Sequence, residues 1–174
     1  MNRLAAETIY LRALEPEDLE FIYQIENDVN LWEVSNTQTP YSRFLIHQYL
    51  ENAHLDIYEA KQLRLVICSK ETHQTLGLID LFDFDPKNGR AGVGIVIQHS
   101  ENRAQGVGSQ ALELVLNYSR EFLFLNQLYA NIASDNQASI QLFANYNFQK
   151  IGVKKAWTRV GQTYKDEIMY QLIF

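Results

Sequence analysis

The sequence predicts a mixed α/β fold in one domain over residues 1–174, with its elements in the order β-α-α-β-β-β-α-β-α-β-β. Three observations support this prediction. Short β-branched runs alternate with stretches of helical spacing, and three of these runs follow one another through short turns, as antiparallel strands do. The fourth strand enters a helix through a glycine-bearing turn. We therefore expect an antiparallel sheet that turns parallel at one point.

The N-terminal part of the chain predicts one strand and two helices. Pro16 and the carboxylates around it suit the first turn of a helix, and Ser42 can cap the second helix. The polar stretch between the helices is either a loop that covers a site or a connection that Trp32 anchors to the core. The predicted elements are a strand at 8–12, a helix at 16–27, a loop at 31–40 and a helix at 41–53.

The rest of the chain predicts six strands and two helices. Apolar and β-branched residues mark the strands, and turn-forming residues at 70–74 and 86–89 separate three of them. Either Asp135 or Asn136 is expected to cap the last helix. The predicted strands are 63–69, 75–84, 91–98 and 127–133, and a closing hairpin joins two more, 148–157 and 164–174. One predicted helix begins at Ser109, and the other spans 136–146.

The turn at 103–108, Arg-Ala-Gln-Gly-Val-Gly, joins a buried strand to a helix. Backbone N–H groups in such a turn lie unpaired at the positive end of the helix dipole, where a pyrophosphate can bind. Alternatively, the glycines only supply positive φ angles or let the helix pack closely on the strand. The turn lacks the Gly-Lys-Ser/Thr of a P-loop and the third glycine of a dinucleotide fingerprint.

Composition excludes several classes of function. The net charge of −6 argues against a nucleic-acid partner and suits a cationic one, although it also serves solubility. No apolar run approaches the ~18 residues of a membrane span and the N-terminus lacks a signal-peptide core, so we predict no membrane partner and a cytoplasmic location. Cys68 is expected to be a buried thiol. The four histidines lack ligand-like spacing, which predicts no metal site.

The glycine turn resembles the Gln/Arg-x-x-Gly-x-Gly/Ala signature of the GNAT superfamily of acetyl-CoA-dependent N-acetyltransferases. A second segment resembles the same family's Asn-x-x-Ala/Ser-x-x-x-Tyr-x-x-x-Gly-Phe motif. The stretches 11–19 and 161–166 are similar to the branch that contains spermidine and ribosomal-protein N-terminal acetyltransferases. The residues that match the second motif are Asn136, Ser139, Phe143, Asn147 and Phe148.

The resemblance implies a GNAT-like sheet in which the fourth and fifth strands splay apart and acetyl-CoA, a cosubstrate, binds between them. The fourth strand would pair its backbone with pantetheine, the glycine turn would hold the phosphates, and the second motif would contact the pantetheine arm near the sulfur. The implied coenzyme-binding residues are Ile95, Val96, Ile97, Arg103, Ala104, Gln105, Gly106, Val107, Gly108, Ser109, Asn136, Ser139 and Phe143.

The chain departs from the family at the acid and the base. Phe143 occupies the position where many relatives carry a tyrosine acid, and the stretch 91–94 lacks the glutamate that is common on this strand. Tyr146, one turn later, is a candidate hydroxyl donor or simply a core aromatic. The usual acid and base of the family are therefore in doubt.

Asp80 and Asp83, in the predicted strand 75–84, are candidate replacements, and we favour Asp80. Asp80 is flanked by apolar residues in a central strand and is either a cleft carboxylate or a solvated charge at a strand end. Strand alternation places Asp83 and Asp85 on the face opposite Asp80. Glu33, in the loop that contains Trp32, is a further possible ligand of an amine.

We therefore predict an N-acetyltransferase that moves acetyl from acetyl-CoA to a primary amine, by direct attack in a ternary complex. The branch resemblance and the acidic balance favour a polyamine such as spermidine, whereas the neutral stretch 34–39 weakens that assignment. A protein N-terminus is the alternative acceptor, so the partner is a small-molecule or peptide amine. A catalytically weak acyl-CoA-binding sensor is the alternative from another class. A homo-oligomer is possible.

Overall fold

The computed structural model describes residues 4–103 and 105–174. Within these residues, seven strands and seven α-helices follow one another along the chain. The strands are β1 (Ile9–Ala13), β2 (Leu63–Ser69), β3 (Thr75–Asp85), β4 (Arg90–Ile97), β5 (Gln127–Ala133), β6 (Gln149–Val160) and β7 (Thr163–Ile173). The helices are α1 (Leu19–Asn27), α2 (Trp32–Ser35), α3 (Arg43–Glu51), α4 (Ile57–Ala60), α5 (Ser100–Arg103), α6 (Val107–Glu121) and α7 (Gln137–Asn145), and a 3-10 turn at Pro16–Asp18 precedes α1.

All seven strands belong to one mixed sheet in the order β1-β2-β3-β4-β5-β7-β6. Only the β4–β5 pair is parallel among the strand pairs of the described chain, which confirms the predicted turn from antiparallel to parallel pairing. That pairing covers Arg90–Gly92 against Gln127–Tyr129 and goes no further. The two strands therefore diverge after Tyr129, as the predicted splay requires.

Helices cover both faces of the sheet because the central strands are apolar on both faces. In β2, Leu65 and Ile67 belong to the cluster beneath α6, whereas Val66 and Cys68 belong to the cluster beneath α1 and α3. Burial raises the pKa of the Cys68 thiol, and no other cysteine exists in the chain to pair with it. The prediction of a buried thiol is thus confirmed.

The helices differ from the prediction at their ends and in number. The polar stretch that we expected to be a loop contains the four-residue helix α2, and α4 and α5 were not predicted. Such helices are too short for hydrophobic periodicity to reveal. The helix α6 begins at Val107 rather than Ser109, because Gly106, with φ +74°, is its N-cap residue.

A β-bulge near the end of β3 breaks the alternation that we assumed there. Asp83 has φ +48°, and the register with β4 shifts between Phe82 and Asp85. The Tyr129 hydroxyl donates a 3.0 Å hydrogen bond to Asp83, and Tyr129 lies on the same sheet face as Asp80 and Phe82, because Phe82, Gly92 and Tyr129 are register partners. The prediction that alternation separates Asp83 from Asp80 was therefore wrong.

Candidate active site

A deep cleft opens where β4 and β5 diverge. Residues 93–96 of β4 line one wall and residues 130–133 of β5 line the other. The α2 segment and the β6–β7 hairpin close the far end, where residues 32–38 and 157–161 contribute. Beyond Gly92 the edge of β4 that faces β5 has no strand partner in the described register, so its backbone groups are available to a ligand.

The glycine turn lies beside this cleft at the start of α6. The first backbone N–H groups of a helix have no intrahelical acceptor, and they point out of its N-terminus. A Cβ on Gly106 would meet no heavy atom within 4 Å, whereas one on Gly108 would lie 3.5 Å from Leu142. Arg103 lines the cleft and donates a 3.2 Å hydrogen bond to the Ile97 carbonyl. This arrangement suits a phosphate group, and the predicted residue Ala104 lies outside the described residues.

Asn136, one of the two predicted candidates, caps α7. Its side-chain oxygen accepts a 3.2 Å hydrogen bond from the Ser139 backbone N–H, and both residues line the cleft. Phe143 follows one turn later, almost fully buried, with its ring 5.0 Å from Phe148 in an edge-to-face arrangement. Phe143 also reaches the cleft wall but carries no proton donor.

The predicted coenzyme residues divide into two groups. Those that line the cleft are Ile95, Val96, Arg103, Asn136, Ser139 and Phe143. The remaining described ones, Ile97, Gln105, Gly106, Val107, Gly108 and Ser109, do not line it. Ile97 and Val107 are buried in the core, so any contribution of these two residues comes from their backbone.

Asp80 lines the cleft, but its carboxylate is already bound. Arg64 on β2 donates two 2.8 Å hydrogen bonds to Asp80 and a third, also 2.8 Å, to Glu26 on α1. All three side chains are at most 20% exposed. Burial opposes the charge of Arg64, but the attraction and hydrogen bonds of Asp80, together with the attraction of Tyr49 and Glu26, outweigh it and raise the pKa of the guanidinium. Two carboxylates thus share one cation. The triad of Arg64, Asp80 and Glu26 carries a formal net charge of −1.

Glu33 also lines the cleft, in a second triad. The Lys165 ammonium, on β7, lies 2.6 Å from Glu33 on α2 and 2.6 Å from Asp135 in the turn before α7. Hydrogen bonds to Asp135 and Glu33 raise the pKa of Lys165, and the bond from Lys165 lowers the pKa of Asp135. This triad, too, has one cation for two carboxylates.

The structure does not bring Tyr146 to the cleft. Its hydroxyl donates a 2.9 Å hydrogen bond to the Ser109 carbonyl and lies 2.8 Å from the Ser109 hydroxyl. Tyr146 is not among the described residues that line the cleft. Its hydroxyl joins α7 to the first turn of α6, because the helix rotates this position away from the line of Phe143.

The ring of Phe82 fills the space beside Gly92, in the stretch that lacks the family's glutamate. A Cβ on Gly92 would lie only 2.3 Å from that ring. Phe82 in turn packs edge-to-face on Tyr129, at 5.9 Å between ring centroids. Burial and the hydrogen bond to Asp83 raise the pKa of Tyr129 to about 12, so this hydroxyl keeps its proton at neutral pH.

Several residues of the cleft were missed by the sequence analysis. Register could have revealed Arg64, which directly opposes Asp80 in the predicted hairpin. No sequence signal connects Lys165 with Glu33, 132 residues apart. Lys154 lies 4.7 Å from the Trp157 ring and 2.5 Å from Glu167. Its position in the cleft likewise depends on how the last hairpin folds over the sheet.

The described residues also bear on two other kinds of site, a membrane span and a metal centre. None of the helices between residues 4 and 174, residue 104 aside, is long and apolar enough to cross a membrane. Over the same residues no group of three or more His, Cys, Asp or Glu side chains is arranged to hold a metal ion.

Comparisons with known proteins agree with this geometry. A family model described as an acetyltransferase (GNAT) domain matches residues 8–149. An uncharacterized N-acetyltransferase p20 of Bacillus licheniformis is 27% identical over 177 residues, 99% of this chain and 97% of that protein. A spermidine N(1)-acetyltransferase of Escherichia coli K12 is 27% identical over 149 residues, 85% of this chain and 76% of that protein. The solved spermidine N-acetyltransferase from Vibrio cholerae in complex with CoA and spermine has a TM-score of 0.84 and 24% identity, and the match covers 95% of each chain.

Proposed function

This chain belongs to the GNAT acetyltransferase family, and we propose that it transfers acetyl from acetyl-CoA to a polyamine such as spermidine by direct attack in a ternary complex. The observation that carries the proposal is that, at two places in the cleft, two carboxylates share a single cation. Arg64 is shared by Glu26 and Asp80, and Lys165 is shared by two further carboxylates. Each triad keeps a net charge of −1, which attracts an acceptor that carries several ammonium groups.

The coenzyme half supports the same proposal. The free edge of β4 beyond Gly92 can pair with the amides of pantetheine, and the N-terminus of α6 can receive the pyrophosphate. Asn136 and Ser139 line the path between them. A backbone N–H of Val96 or Ile97 would stabilise the thioester oxygen as charge develops on it. These groups hold the acetyl donor and contribute no proton chemistry of their own.

The acetyl transfer itself requires little from side chains. The amine nitrogen attacks the thioester carbon, the bond from that carbon to sulfur breaks, and the amine loses one proton while the thiolate gains one. Because Phe143 cannot donate a proton and Gly92 carries no carboxylate, we propose that water carries both protons. Asp80 then positions the acceptor ammonium rather than acting as the base, since two of its hydrogen bonds are committed to Arg64.

A protein N-terminus is the second candidate acceptor. The α2 segment and the β6–β7 hairpin both border the far end of the cleft, which is the arrangement that would admit an extended peptide. Trp157 is 60% exposed there and could pack against a peptide side chain. A peptide would need only one ammonium subsite, whereas the cleft has two triads with carboxylates in excess.

Release of free thiol from acetyl-CoA tests these proposals across a panel of spermidine, spermine and short peptides with free N-termini. We expect turnover with spermidine and spermine, with kcat/KM at least about tenfold higher than for any peptide. Turnover with peptides alone would replace the polyamine by a protein N-terminus. Saturable binding of acetyl-CoA without turnover of any amine would contradict the proposed transfer and favour an acyl-CoA-binding sensor.

A further inference from the structure

The Lys165 ammonium has the surroundings that a substrate ammonium would require. Its two carboxylate partners belong to different elements, Glu33 to α2 and Asp135 to the turn before α7. All three residues line the cleft. Lys165 itself stands near the start of β7, opposite Thr158 of β6. A cation-binding position is thus built from two sides of the cleft, and the chain's own lysine occupies it.

Charge and geometry distinguish this triad from the one around Arg64. Arg64 is only 19% exposed, and its planar guanidinium bonds Asp80 with two parallel hydrogen bonds. A lysine ammonium is a compact point charge on a flexible stem, and it can leave its partners without breaking a fixed fork. Lys165 is 27% exposed and one partner, Asp135, is 57% exposed, so another cation can reach the same oxygens from solvent.

We propose that Lys165 is a specificity-determining residue: its ammonium occupies a cation subsite formed by Glu33 and Asp135, which an acceptor ammonium enters only by displacing it. The inference rests on the proposed transfer to a polyamine. The Lys165 ammonium reduces the negative charge of the subsite from −2 to −1 and so weakens the binding of a cationic acceptor. It also ties α2 to the turn before α7, across the mouth of the cleft.

The substitution Lys165→Met tests this inference, because methionine keeps the unbranched stem and removes the charge. We expect the variant to bind spermine about tenfold more tightly than the wild type in calorimetry at low salt, with a matching decrease in KM for spermine, because both carboxylates become available. The gain should shrink at about 0.5 M salt, where charges are screened. The affinity for CoA, which binds at the other half of the cleft, should stay within about twofold.

The matched control is Lys155→Met. Lys155 is 80% exposed, pairs with Asp166 at 2.6 Å, and is absent from the described residues of the cleft. Both variants lower the net charge by one, so an effect of total charge would appear in both. An equal gain in the two variants, or an unchanged or weakened spermine affinity in Lys165→Met, would overturn the inference.

A second variant, Glu33→Gln, tests the subsite by removing the charge of one of its carboxylates. It decides the question if Lys165→Met does not fold. This variant should bind spermine several-fold more weakly than the wild type, since Lys165 then neutralises the remaining carboxylate. Unchanged binding would contradict the subsite. Because binding is measured apart from turnover, a wild type that binds spermine without acetylating it would contradict the proposed function but leave this comparison decisive for Lys165.

Discussion

Asp80 has two roles that must be separated by experiment, a structural one in its ion pair with Arg64 and a proposed one in binding the acceptor. Arg64 also pairs with Glu26, which offers a comparison. We expect Asp80→Asn to lower turnover at least about tenfold if this carboxylate positions the acceptor ammonium. Glu26→Gln removes the other carboxylate of the same cation and should lower turnover less than about threefold. Assays of initial rate at saturating acetyl-CoA would compare the two variants, and equal losses would mean that the charge of the triad, and not the position of Asp80, accounts for the effect.

Both substitutions should also lower the free energy of unfolding, which urea denaturation would measure. Each leaves Arg64 with one carboxylate in place of two, at a cost of about 1–3 kcal/mol in the free energy of unfolding. Similar losses of stability combined with unequal losses of turnover would separate the function of Asp80 from its role in the triad. This comparison therefore requires both measurements on the same two proteins.

Residues within one hairpin were predictable from sequence, whereas residues brought together by distant elements were not. The predicted strands 63–69 and 75–84 already place Arg64 opposite Asp80, so this pair was implicit in the register, whereas Glu26 on α1 was not. The contact between Lys165 and Glu33 depends on where the last hairpin folds over the sheet and on the formation of α2, which no periodicity marks. The sequence therefore predicted the contact within one hairpin and missed the contact between α2 and the last hairpin.

At the scale of elements, the turn into α6 makes a specific prediction for Gly106. Its φ of +74° costs any other residue about 1 kcal/mol, yet a Cβ there would meet no protein atom within 4 Å. We expect Gly106→Ala to weaken CoA binding at least about tenfold, because the added methyl lies where backbone must approach the phosphates. Calorimetric titration with CoA measures this effect.

Gly161, in the β6–β7 turn, supplies the control for that experiment. It has φ +61° and equally open space around its Cβ position, but it lies at the acceptor end of the cleft. Gly161→Ala should therefore carry the same backbone strain and leave CoA affinity within about twofold. A CoA affinity for Gly106→Ala as high as that of the Gly161 variant would remove the turn from the phosphate site.

For the whole molecule, the decisive feature is the point at which a continuous sheet opens into a cleft. Alternation and turn signals predicted the order of the strands along the chain, and the resemblance predicted the splay, but neither could place Phe82, because the bulge at Asp83 changes the local register. The Phe82 ring lies over Gly92 and against Tyr129, the last residues that pair β4 with β5. We therefore expect side-chain packing at this point to determine where the strands separate.

Substitutions at two glycines of β4 test that conclusion. A Cβ on Gly92 would lie 2.3 Å from the Phe82 ring, whereas one on Gly94 would lie at an ordinary 3.6 Å. We expect Gly92→Ala to lower the free energy of unfolding by about 1–3 kcal/mol and Gly94→Ala by less than about 1 kcal/mol, both measured in urea. In a Phe82→Ala background the cost of Gly92→Ala should largely disappear, because the two effects share one contact. A cost that persists without the ring would mean that the backbone of β4, and not the packing of Phe82, fixes the opening of the cleft.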